Sequence, residues 1–154
     1  MSNLQPNSHH CFVCGLKNPF GLQLRFYNTI PGEVCVEYTV PDHYQGYPGV
    51  VHGGVVAAML DEAAGRAFMG DPEAPRFMYT ARMEIRYRKN VPIGQQLKVI
   101  GQAGKNKGRT ATATSRIFNP EGELLAEAEV LLVDVPAEVV DKVDYEALGW
   151  KVYE

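Results

Sequence analysis

The chain has no run of eighteen apolar residues, so a membrane-spanning helix is not expected. Its first residues, Met-Ser-Asn-Leu-Gln-Pro-Asn-Ser, lack the basic and apolar regions of a secretory signal, which predicts a cytoplasmic protein. Basic residues are not in excess: the net charge of -3 argues against a nucleic-acid partner. Cysteine is scarce, and three of them, an odd count, provide no disulfide framework. Histidine is absent after His52, which removes chemistry that needs an imidazole later in the chain. There is no internal repeat and no low-complexity segment. At 154 residues the chain is expected to be one domain spanning 1–154, large enough to bury a core unaided, with an N-terminal extension over 1–20 and a tail over 136–154.

What is present is organised around one stretch, 51–69. Val56, Met59, Leu60, Ala63 and Ala67 recur there at helical spacing, which predicts a single central helix. Its start, His52-Gly53-Gly54, lets the backbone approach a ligand closely, and first-turn amides have no partners within a helix. Such an end favours developing negative charge. Two turns on, Asp61 shares a stripe with Ala57, Ala58, Ala64, Gly65 and Phe68, a poor setting for an idle charge. Glu62 precedes Arg66 at the i,i+4 spacing, so it is expected to be the structural acid. The small residues beside Asp61 leave either a slot for an acyl chain or a close helix-to-sheet contact.

Around the helix the chain reads as strands. Leu22, Leu24 and Phe26 alternate with polar residues over 22–28, and Val34, Val36, Tyr38 and Val40 alternate over 33–40, predicting a hairpin through Pro31-Gly32. A strand over 76–88 puts Phe77, Tyr79, Ala81, Met83, Ile85 and Tyr87 on its apolar face. Three more, over 97–103, 110–118 and 124–134, follow in meander order. Six antiparallel strands and one long helix predict an α+β fold with the sheet wrapped around the helix. Residues 1–10 are polar and expected to be loose. Cys11 and Cys14 form a Cys-x-x-Cys that lacks a second cysteine pair, so it is read as a packed structural pair and no metal is expected. Had a metal been held there, His9 and His10 would be the partners.

Gly49-Val50-Val51-His52-Gly53-Gly54 with Asp61, then Tyr79 through Arg88 and Pro92-Ile93-Gly94, resembles the hotdog-fold acyl-CoA thioesterases of the PaaI-like, thioesterase-superfamily-member type. The similarity covers roughly residues 20–135. It implies hydrolysis of acyl-CoA thioesters without a cofactor, CoA being part of the substrate. It also implies a homodimer or a dimer of dimers, with active sites at the subunit interface. In that family a helix carboxylate activates water or attacks the thioester, and Asp61 occupies its position. The amide after the motif histidine polarises the thioester oxygen, which points to Gly53, contributed by the opposite subunit. His52 matches the positioning histidine, and Thr80 matches a hydroxyl that holds the carboxylate. Many relatives carry an asparagine a few residues before the histidine; here Gln45 stands in its place. Strict alternation puts Thr80 off the apolar face, so a bulge at the strand start, or exposure across the dimer seam, is required.

Substrate contacts are expected from Gly54 and Gln45 and, for the CoA phosphates, from Arg88, Lys89, Lys105, Lys107 and Arg109. The rival reading is a non-catalytic acyl-CoA binding or sensing protein on the same fold.

Overall fold

The computed structural model describes residues 3–154. In chain order it contains β1 (Tyr27–Ile30), β2 (Glu33–Thr39), a 3-10 turn (Asp42–Tyr44), α1 (Gly53–Arg66), β3 (Met78–Tyr87), β4 (Gln96–Lys107), β5 (Thr110–Phe118) and β6 (Leu124–Asp134). Two single-turn helices, α2 (Ala137–Val140) and α3 (Tyr145–Leu148), complete it. The strands form one six-stranded antiparallel sheet in the order β1-β2-β4-β5-β6-β3. The sheet packs around α1. This is the hotdog fold.

Helix and sheet meet through the predicted apolar stripe: Val56, Met59, Leu60 and Ala63 are buried against Val34, Leu97, Val99, Ile117 and Leu132. Burial of side chains such as Met59 and Leu60 is worth about 1.5–3 kcal/mol each. The tightest point is backbone to backbone. A Cβ at Gly101 of β4 would lie 2.0 Å from the Ala63 carbonyl oxygen, so glycine there lets the helix settle onto the sheet.

The strand order departs from a full meander. β4, β5 and β6 follow one another, but β3 pairs with β6 at the far edge, from Met78↔Asp134 to Tyr87↔Ala126. The connection from β3 to β4 therefore recrosses the molecule. It is tied to the loop before α1, where Ile93 N–H donates to Gly49 O (3.0 Å) and Gly94 N–H to Val40 O (3.1 Å). Alternation identifies strands but carries no record of their neighbours.

The first strand is also shorter than expected. Leu22, Leu24 and Phe26 are buried as their alternation predicts, but regular pairing starts only at Tyr27. Gln23 sits at φ 57°, which breaks the extended run, and the amides of Leu22 and Leu24 donate to Phe12 O and Val13 O (2.8 Å each). Those bonds tie the segment to the Cys-x-x-Cys turn instead of to a neighbouring strand.

Nor is the N-terminal segment loose over the described residues. Gln5 and Asn7 are buried because their amides find backbone acceptors: Asn7 Nδ2 donates to Cys14 O and Leu24 O (2.8 Å each), and Gln5 Nε2 donates to Arg66 O (3.1 Å). The tail closes over it, with His9 N–H donating to Leu148 O and Asn7 N–H to Lys151 O.

Candidate active site

His52 caps α1. Its Nδ1 accepts the Gly54 N–H at 2.9 Å, and its carbonyl accepts from Val55 and Val56. An accepting Nδ1 carries no proton, so the neutral ring holds its hydrogen on Nε2. Gly54, expected to contact the substrate, has its N–H taken by His52. Among the described residues the Gly53 N–H donates to no protein acceptor. A Cβ at Gly54 would stand 3.1 Å from His52 Nδ1, so glycine protects the cap. Tyr87 Oη donates to Gly53 O at 2.8 Å and pins the end of β3 beside the helix start.

Asp61 lies farther along the helix, partly buried, and its Oδ1 accepts the Thr80 hydroxyl at 2.5 Å. Thr80 reaches it through a bulge. The β3–β6 register shifts between Thr80 and Arg82, so Ala81 goes unpaired and the phase of the strand changes there. Met78 and Thr80 then share a side with Met83 and Ile85, and of the six residues expected on the apolar face, Tyr79, Ala81 and Tyr87 are exposed. The neighbouring acid is ion-paired as its spacing predicts: Arg66 Nε meets Glu62 Oε1 at 2.9 Å. Burial pushes the Glu62 carboxyl up, opposed by the Arg66 guanidinium.

Beside Asp61 opens a cavity of about 530 Å³. Asp61, Glu62 and Gly65 line it from the helix, Met78 and Thr80 from β3, and Val140, Val143 and Trp150 from the tail. The choice between slot and packing divides by residue. Ala64 is buried in the core, Ala57 and Ala58 do not line the cavity, and Gly65 faces open space, with no atom within 4 Å of a Cβ built on it. The tail wall was not foreseen.

Cys11 and Cys14 line the same cavity, which sequence reasoning missed. The Cys14 N–H donates to Cys11 Sγ at 3.5 Å. The hydrogen bond from the Cys14 side chain draws the Cys11 thiol down to about 6, against burial, while that bond and burial push Cys14 above the ordinary thiol range. Glu62, not His9 or His10, is their neighbour: the two sulfurs and a Glu62 oxygen all lie within 4.8 Å of one another.

The basic candidates separate. Arg88 and Lys89 stand with His52 and Gly53 around a second hollow of about 590 Å³, ion-paired to Glu127 (3.0 Å) and Glu123 respectively. Lys105 and Lys107 line a different hollow with Arg82 and Glu84. Arg109 joins Lys105 and Lys107 at the β4–β5 tip, where Thr110 pairs with Val133, at the opposite end of β6 from Arg88. That tip adjoins the Asp61 cavity through Arg76, which donates to Gly108 O at 2.8 Å. Gln45 lines neither the Asp61 nor the Gly53 hollow; its Oε1 accepts the Gly49 N–H at 3.1 Å and folds its own loop. Among the described residues no helix is long and apolar enough to cross a membrane.

The model of the thioesterase superfamily matches residues 48–126. Acyl-coenzyme A thioesterase THEM4 of Mus musculus is 30% identical over 114 residues, which span 73% of this chain and 48% of that protein. The chain thus spans about half the length of the curated relatives it matches. A solved thioesterase superfamily protein is 30% identical with a TM-score of 0.74, over 82% of this chain and 61% of that one. A Streptococcus mutans protein solved with acetyl-CoA bound is 20% identical with a TM-score of 0.65, over 73% of this chain and 88% of that one. At that identity it shows the fold alone.

Proposed function

This chain belongs to the thioesterase superfamily, and from that membership we propose that it hydrolyses acyl-CoA thioesters to the free acid and CoA. The observation that carries the reading is the Asp61 carboxylate, oriented by Thr80 at 2.5 Å on the wall of a cavity large enough for an acyl group. A carboxylate held by one oxygen keeps the other for the reaction. It takes a proton from water, whose oxygen attacks the thioester carbon. The CoA sulfur leaves with the electron pair and is protonated from Asp61.

The developing oxyanion needs a preorganised donor, worth about 3–4 kcal/mol in barrier height. The Gly53 N–H is the free donor of the motif, but eight residues of helix separate it from Asp61, about 12 Å at 1.5 Å per residue. The same chain's Gly53 is too distant for one carbonyl group to touch both. On this reading the donor therefore comes from Gly53 of the partner subunit in a homodimer, as the family resemblance implies. Arg88 and Lys89, which share a hollow with Gly53, would come with it and exchange their glutamate partners for CoA phosphates. His52 holds the turn in shape through Gly54.

A panel of acyl-CoA thioesters of graded chain length, read by release of free CoA thiol, tests the reading. Turnover that falls by two orders of magnitude in Asp61→Asn supports it. Binding of acyl-CoA without release of thiol by the wild type replaces it with the non-catalytic binding protein.

A further inference from the structure

We propose that Cys11, Cys14 and Glu62 hold a zinc ion at the wall of the Asp61 cavity, with the fourth coordination position open to that cavity. Their donor atoms, two sulfurs and a carboxylate oxygen, already lie within 4.8 Å of one another. A tetrahedral zinc with Zn–S bonds of about 2.3 Å sets neighbouring ligand atoms roughly 3.5–3.8 Å apart, so closure takes about 1 Å of side-chain adjustment. Two thiolates favour zinc over magnesium, calcium or manganese, which prefer oxygen alone.

The supporting contacts are those that a ligand set needs. Cys11 Sγ accepts the Cys14 N–H at 3.5 Å, and Gly15 N–H donates to Cys11 O at 2.8 Å, which curls the Cys-x-x-Cys into a tight turn. Glycine is required at its end, because a Cβ at Gly15 would lie 2.4 Å from Cys11 O. Arg66 Nε holds Glu62 by Oε1 at 2.9 Å, leaving Oε2 for the ion.

Arg66 supplies the second, independent observation. Its side chain is 2% exposed, Nη1 donates to Gln5 Oε1 and Pro6 O, and among the described residues Nη2 has no partner. A buried unpaired guanidinium N–H is costly. Its electrostatic neighbours are Glu62 and Cys14. A zinc-bound Cys14 sulfur would be a stronger acceptor for that N–H than a free thiol. Ionised, the three donors carry three negative charges and Arg66 offsets one; a divalent cation balances the other two.

The test is zinc content by plasma mass spectrometry on the chain purified without chelators. About one zinc per chain is expected, absent from Cys11→Ser/Cys14→Ser, retained in Asp61→Asn, and bound at least about 10-fold more weakly by Glu62→Gln. Should the double variant not fold, cobalt-loaded wild type is read instead for thiolate-to-cobalt charge-transfer absorption in the near ultraviolet. A zinc-free wild type with both thiols open to a thiol reagent overturns the proposal. So does a zinc-free chain lighter by two hydrogens, which would make the pair a redox disulfide, a double variant that keeps its zinc, or a cobalt form without the charge-transfer band.

Discussion

Thr80 donates to Asp61 at 2.5 Å from a strand whose register shifts one residue later, so a single unpaired residue, Ala81, decides whether the hydroxyl reaches the carboxylate. Without that bulge Thr80 would share the outward side with Arg82 and Glu84.

From this pair the first expectation is kinetic. Asp61→Asn keeps the shape and removes the charge. It should leave acyl-CoA binding nearly unchanged while lowering kcat by about 10²-fold or more, the scale of general-base catalysis. Thr80→Ala removes an orienting hydrogen bond of about 1 kcal/mol, a loss of roughly fivefold. Steady-state kinetics on one responsive substrate check both, and a Thr80→Ala loss as large as that of Asp61→Asn would refute the assigned roles.

The oxyanion donor can be deleted with little damage to the helix. Gly53 opens α1, where proline is tolerated, and His52 at φ -56°, ψ 135° suits a following proline. Gly53→Pro should fold and lose about 10²–10³-fold in kcat.

Those two variants together read the assembly. The long edge strand β3 is expected to pair with its mate in a homodimer. Mixed dimers of Asp61→Asn and Gly53→Pro chains should regain about half the wild-type activity per dimer, because one of the two sites combines an intact Asp61 with an intact Gly53. No recovery, or a sedimentation mass of one chain at micromolar concentration, would sink the shared site.

Gly65 and Gly101 should answer substitution in opposite ways. Alanine at Gly101 meets the Ala63 carbonyl at 2.0 Å and forces the helix off the sheet, costing about 1–3 kcal/mol or more in urea unfolding. Alanine at Gly65 has open space around it and should stabilise the helix by up to about 1 kcal/mol. Gly65→Leu, filling the cavity, should depress turnover of long acyl chains while sparing short ones; a uniform loss across the chain-length panel would place the acyl group elsewhere.

Much of this molecule is local and was legible in the chain. The 3.6-residue recurrence of Val56, Met59, Leu60 and Ala63 specified α1 and its buried face, the spacing of Glu62 and Arg66 specified their ion pair, and turn residues marked the hairpins. Each depends only on neighbours a few positions away. Tertiary structure decided what depends on distant partners. It put β3 against β6, since strand pairing is hydrogen bonding between segments whose alternation looks alike whatever their order. It moved Thr80 into phase with Asp61 by skipping one pairing. And it brought Cys11 and Cys14 beside Glu62, because the buried amides of Gln5 and Asn7 needed acceptors that only the folded chain supplies, at Arg66, Cys14 and Leu24.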